Sequence, residues 1–321
     1  MVSFRSKSIV YLLSSIAIFL WGMSYIWSSK LVQLGIPIEF FVFVRIFAAG
    51  LLLLGFNLIS GQDIRIRKKD LGKFLLLAMF EPLIYFVFET YGIKLTESPT
   101  YSSLVIATTP IVSVVAGVVF FNERVNFLNI FGILVCLGGL FMVTVCASTV
   151  GPYFLWGILL LVVAVFAEVA HASYTKALAE TYTPQVIVMY QFLFGAVYLL
   201  PLFLTMGLKE FEFSSYISWE VMGPILFLAI FCSSIAFSLW ALAIKHLGVA
   251  KSSIFLAMIP MVTAVAGFLL GHEILTKLQW LGIIVACVGL IFSQTACVRC
   301  RKRRISRFLR KKEDGPEETS L

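Results

Sequence analysis

Apolar residues run along this chain in blocks too long for the core of a soluble domain, each closed by a short polar stretch. Cutting at charged residues, Gly and Pro gives ten segments, near 9–29, 38–59, 71–93, 99–121, 127–147, 153–175, 184–206, 220–244, 251–271 and 277–297. A helix rises about 1.5 Å per residue and needs about 20 apolar residues to cross the hydrocarbon of a bilayer. The pattern therefore predicts an all-α membrane protein with ten transmembrane helices. The first segment follows Arg5 and Lys7 as the core of a signal peptide would. Its apolar run is longer than such a core and no small-residue cleavage site follows it, so it reads as a retained helix.

The pattern is also written twice. ATTPIVSVVAGVVFFNE at 107–123 returns as AMIPMVTAVAGFLLGHE at 257–273, and Pro110/Pro260 and Glu123/Glu273 share one offset of 150 residues. Over 102–140 against 252–290 there are 15 identities in 39 positions, among them a proline, a glutamate and three glycines. Apolar composition inflates the aliphatic matches but not these, so the chain contains a duplication. Each copy holds five spans, and an odd number forces the second copy across the membrane upside down. Inverted repeats of this kind build carriers that open to one side or the other around a site near the midplane. The expected organisation is a first repeat over 1–147, a second, inverted repeat over 148–297, and a basic tail over 298–321.

Composition agrees with the solvent that the pattern implies. Apolar residues make up 60% of the chain and charged residues 13%, against about a quarter charged in an ordinary soluble domain. The net charge of +8 does not point to nucleic acid, because nine of the 25 Lys and Arg lie between Arg299 and Lys312, after the last span. A basic stretch there suits the anionic face of a membrane. With ten spans, 20 Lys and Arg fall on the side of the termini and four on the other, with Arg45 inside a span. The positive-inside bias then places both termini in the cytoplasm, at the plasma membrane, the inner membrane in a bacterium. Cys136, Cys146, Cys232 and Cys287 fall inside apolar runs, and the lone Cys297-x-x-Cys300 makes a poor zinc site.

Ionisable groups inside a span are costly and usually face inward. Glu81 stands ten residues into the third span, about 15 Å along its axis. Tyr85 and Glu89 share its face at i+4 and i+8, and Pro82 weakens the helix beside it. Glu168 and His171 share a face of the sixth span at i, i+3. A Glu-x-x-His pair can hold metal when further inward carboxylates accompany it; the motif occurs once, so no metal site and no cofactor are expected. Arg45, about 10 Å deep, either snorkels outward or pairs with an acid as a structural group. Ser24 and Tyr25 belong to a stripe with Trp21 and Ser28 on the first span that could reach a ligand. Pro110 and Pro260 break spans 4 and 9, either to line a site or only to kink the bundle. Gly132, Gly139, Gly282 and Gly289 read as close-packing positions, and Glu123 and Glu273 as structural helix ends.

Taken together, the Trp21-Gly22 pair, IPIEFFVFVRIFAAGLLLL, SSLVIATTP, FFNE, GILVCLGGL and their counterparts through LWALAIKHLGVAKSSIFLAMIP and GIIVACVGL resemble the EamA-type branch of the drug/metabolite transporter superfamily over about residues 9–297. One departure is Gln191, which stands where the first copy has Arg45. The resemblance implies ten helices around a central cavity lined mainly by spans 1, 3, 4, 6, 8 and 9, with Arg45 on a peripheral helix. It also implies a small-molecule cargo without naming one, and a homodimer is compatible with it. The expectation is a secondary, non-ATP transporter of a small metabolite, amino-acid-like compound or drug, leaning toward export. Glu81, Glu89, Glu168 and His171 are the groups able to carry protons. A membrane-embedded enzyme would need the clustered histidines that 171, 246 and 272 do not supply, and a passive channel would not need broken helices.

Overall fold

The computed structural model describes residues 4–112, 127–145, 151–208, 216–256, 258–271, 274–289 and 291–292. These are mostly helical, with no strand among the described residues. Glu123, Glu273, His272, the Cys297/Cys300 pair and the basic tail lie outside them.

Two long helices open the chain, α1 (Phe4–Gln33) and α2 (Ile38–Ile59). The third span is split into α3 (Leu71–Ala78), a wide π-type turn over Met79–Ile84, and α4 (Tyr85–Thr96). Then come α5 (Pro99–Ile106), α6 (Phe127–Val145), α7 (Phe154–Ala179) and α8 (Pro184–Leu202). A second split span follows as α9 (Trp219–Phe227), a π-type turn over Leu228–Ile235, and α10 (Ala236–Leu247). The chain continues through α11 (Val249–Leu256), α12 (Ile259–Leu269) and α13 (Lys277–Gly289). Among the described residues six helices, Ile9–Gln33, Ile38–Ile59, Lys68–Thr96, Phe154–Ala179, Pro184–Gly207 and Trp219–Leu247, are long and apolar enough to cross a membrane. The segments expected at 99–121, 127–147, 251–271 and 277–297 are represented by shorter helices.

The duplication is visible in the backbone. Both π-type turns fall mid-span at matching places, ending at Ile84 and Ile235, an offset of 151 residues. At the same offset α4 and α10 both end on a residue of positive φ, Glu97 at 53° and Gly248 at 80°. The packing is paired as well: α4 lies along α7 as α10 lies along α1, while α2 packs on α8. At the α6–α13 contact, a Cβ on Gly282 would sit 2.8 Å from the Gly139 carbonyl, and one on Gly289 would sit 2.7 Å from the Gly132 carbonyl. Position 132 thus meets 289 while 139 meets 282, so the two helices run antiparallel at backbone contact. At Gly139, Gly282 and Gly289 a Cβ would strike backbone of the facing helix.

Away from the middle of the spans, the 61–70 connection is tied to the second half. Tyr182 accepts the Arg67 N–H at 3.0 Å and donates to Asp70 at 3.0 Å. Tyr190 donates to the Ile64 carbonyl at 2.8 Å, and Lys245 to the Tyr182 carbonyl at 3.3 Å. Phe74, Leu77, Leu178 and Ile187 form a separate apolar cluster behind this latch. Tyr182→Phe removes one acceptor and one donor and is expected to cost about 1–3 kcal/mol. A thermal midpoint in detergent equal to that of the wild type would contradict this.

Candidate functional site

Pro82 dictates the local shape of the third span. A residue before proline is pushed from helical to extended backbone, and Glu81 adopts φ −146°, ψ 117° before a cis Glu81–Pro82 bond. The break turns the Glu81 carboxylate sideways into the bundle. Gly195 of α8 admits the Pro82 ring, which a Cβ there would strike. The second break contains no proline, and two of its carbonyls are met by side chains, one from α1 and one from the break itself. Trp21 Nε1 donates to the Cys232 carbonyl at 3.1 Å, and Ser234 Oγ donates to the Ala229 carbonyl, five residues back, at 2.9 Å. Gly22 leaves room for Val262, whose Cγ1 would lie 2.5 Å from a Cβ, and the Gly22 carbonyl accepts Thr263 Oγ1 at 3.0 Å. The Trp21-Gly22 pair therefore serves one broken span with each residue.

Between these elements lies a cavity of about 440 Å³ of non-atom space, including what opens to solvent. Trp21, Ser24 and Tyr25 of α1, Tyr85, Phe86 and Glu89 of α4, Glu81, Glu168 and Phe237 line it. Ile106 and Thr109 contribute from one side, and Leu256 and Ile259, at the same offset of 150, from the other. These four flank the interruptions before Pro110 and Pro260: helix stops at Ile106 and resumes at 109, then stops at Leu256 and resumes at Ile259. The prolines thus start new helical turns, and it is their neighbours that line the cavity.

Three ionisable groups from two elements meet at the cavity wall. His171 Nδ1 lies 2.8 Å from Glu81 Oε2 and 3.3 Å from Glu168 Oε2. On its other edge, His171 Nε2 faces Thr175 Oγ1 at 3.2 Å and Gln191 Oε1 at 3.4 Å. His171 is 2% exposed and Glu81 1%. One ligand atom from each of Glu81, Glu168 and His171 can be chosen within 4.8 Å of the others, close enough to hold a metal ion. Glu89 belongs to a second group: Tyr85 donates to it at 3.0 Å, and the Tyr25 and Tyr85 hydroxyls lie 3.4 Å apart. At 5% exposure Glu89 is buried in the bundle.

Arg45 departs furthest from expectation. It neither snorkels nor pairs with an acid: it is 2% exposed, and among the described residues no carboxylate comes within 4.0 Å. Its Nε donates to Ser233 Oγ at 2.7 Å, and its guanidinium lies 4.4 Å from the centre of the Phe86 ring. It lines the cavity, so α2 contributes to the site rather than standing at the periphery. Phe86, Phe237, Ser233 and Thr175 are additions that sequence reasoning did not single out. The aromatic ones resemble any core position, and Gln191 was marked only by replacing an arginine.

Comparison with known proteins gives a consistent result. The EamA-like transporter family matches the chain twice, over residues 8–145 and 155–295. An uncharacterized transporter of Archaeoglobus fulgidus is 28% identical over 212 residues, 66% of this chain and 73% of the relative. The uncharacterized transporter YoaV of Bacillus subtilis is 25% identical over 287 residues, 88% of this chain and 95% of its own. A probable terminal-alkyne amino-acid exporter of Streptantibioticus cattleyicolor is 29% identical over 192 residues, 59% of this chain and 62% of the relative. One solved crystal structure, described only as that of a protein, shares the fold with a TM-score of 0.68 at 16% identity, covering 92% of this chain and 98% of that one.

Proposed function

This chain belongs to the EamA-like transporter family and is a multi-pass membrane transporter; from that premise we propose that it exports a small, amino-acid-like metabolite by alternating access as a secondary carrier. The observation that carries the reading is the pairing of opposite charges in one aromatic-walled cavity. Arg45 offers a fixed cation to a carboxylate, Glu89 and Glu168 offer acceptors to an ammonium group, and Trp21, Phe86 and Phe237 flank the space between. The likeness to a probable terminal-alkyne amino-acid exporter supports both the cargo class and the direction.

The carrier has ten spans as two inverted repeats, over 1–147 and 148–297, with both termini cytoplasmic in the plasma membrane and the 298–321 tail on anionic lipid. The antiparallel glycine contacts and the matched breaks support this topology. The interruptions before Pro110 and Pro260 flex as the cavity changes sides, since non-helical backbone at membrane depth survives where it lines a cavity.

Proton coupling falls to Glu89. Glu81 and Glu168 both lie within 3.3 Å of His171 Nδ1, whereas the hydrogen bond that Glu89 receives is from the neutral Tyr85 hydroxyl. The groups around it are Tyr25, Arg45 and Glu168. Efflux of a labelled amino acid from proteoliposomes is expected to quicken when the receiving side is made more acid, and Glu89→Gln to lose that dependence while retaining exchange. Wild-type efflux that ignores an imposed pH gradient rules out the coupling. Failure of every amino acid to exchange rules out the cargo class.

A further inference from the structure

The Glu81–Glu168–His171 group has the composition and spacing of a metal centre, and we propose that it binds a divalent transition-metal ion of the zinc type. Ligand atoms bonded to zinc at about 2.0–2.1 Å in a tetrahedron stand about 3.3 Å apart. His171 Nδ1 and Glu168 Oε2 are 3.3 Å apart, and Nδ1 and Glu81 Oε2 are 2.8 Å apart. Two ligands come from one turn of α7 and the third from a different span. This is the further inward carboxylate that a single Glu-x-x-His motif lacks in the sequence.

A second observation is independent of the spacing. His171 Nδ1 and Glu81 Oε2 are fully buried, yet neither makes a hydrogen bond to any described group. They approach to 2.8 Å without the alignment a hydrogen bond requires. In the tautomer that donates from Nε2 to Gln191 Oε1, the lone pair of Nδ1 faces the carboxylates. Two lone pairs turned toward each other in a buried site repel unless a proton or a metal cation lies between them. The engaged far nitrogen, held by Thr175 and Gln191, is the outer support that metal-bound histidines ordinarily have.

Charge favours the same occupant. In the deprotonated state that metal ligation requires, two carboxylates and a neutral imidazole would place two negative charges inside the bundle, where an uncompensated charge is expensive. A divalent ion brings the group to neutrality. Its fourth position faces the cavity that Glu81 and Glu168 line. Because Glu81 precedes α4 and the other two ligands lie on α7, the ion also ties together two elements that pack along each other.

The test is a Zn²⁺ titration of the full chain in detergent, carrying a histidine-free purification tag. Cys297→Ser and Cys300→Ser remove the thiols of the tail as a competing site. One saturable ion per chain is expected, together with a rise in thermal midpoint. Glu81→Gln, Glu168→Gln and His171→Gln should each weaken binding at least tenfold, and Gln191→Leu, outside the ligand set, by about 10–100-fold. Absence of saturable binding in the parent protein overturns the proposal whether or not the variants fold. So does binding that persists unchanged in folded Glu81→Gln and His171→Gln. The readout needs no transport assay, so failure of the carrier reading leaves it intact.

Discussion

Arg45→Met is expected to lower affinity for the proposed amino-acid cargo by about 10–100-fold without destabilising the protein. A hydrogen bond to a charged group contributes about 1.5–3 kcal/mol, and each 1.4 kcal/mol is about tenfold in a dissociation constant. The claim that stability survives is equally specific. Arg45 is buried with Ser233 and the face of Phe86 as its partners and no acid within 4.0 Å among the described residues. Removing it leaves no orphaned carboxylate behind, and an unbranched apolar side chain occupies much of its space. Arg45→Lys should not restore binding, since an ammonium lacks the planar fork that can bond Ser233 with one nitrogen and a carboxylate with the others. A thermal-shift screen of free amino acids against wild type and both variants is the check. If Arg45→Met loses its own thermal midpoint while the surviving folded fraction binds as tightly as wild type, the arginine is a structural group and the cargo reading loses its cation.

The second large effect is on folding. Gly139→Leu is expected to abolish monodisperse expression, while Gly138→Leu, one residue away, is expected to be tolerated. A Cβ at Gly139 would run into backbone atoms of Ala286 and Gly282, whereas at Gly138 nothing lies within 4 Å. Overpacking usually costs about 1–3 kcal/mol when neighbouring side chains can turn aside. Here the obstacle is main chain, so the two helices would have to separate. Size-exclusion profiles of the two variants decide the matter: equal behaviour would mean that the α6–α13 contact is not close in the membrane.

These two cases show where the sequence was readable. The duplication, the apolar blocks and the glycine spacing announced the helices and their tight contacts, because periodicity and small residues are local signals. Glu81, Glu89 and Glu168 stood out because a carboxylate in an apolar run has few explanations. The Glu81 break was legible through Pro82, but the break at 228–235 carries no proline, so its position emerged only with the coordinates. Partnerships were hidden for a different reason. The meeting of Glu81 with His171, and of Arg45 with Ser233, joins residues 90 and 188 positions apart. Such contacts depend on how helices assemble rather than on how each one forms. Arg45 was misjudged on the same account, since the groups that hold its side chain inward, Ser233 and Phe86, lie on other spans.

Gln191 in the place of Arg45 has a consequence for the working cycle. The two halves share a winding but not a charge, so the cavity has a head and a tail. A zwitterion docked with its carboxylate on Arg45 keeps that heading through the whole passage and meets different walls on leaving each face. A ligand can shift a conformational balance only by the difference in its affinity for the two states. Half-saturation should therefore differ between the two sides of the membrane, while net flow still follows whichever gradient drives it.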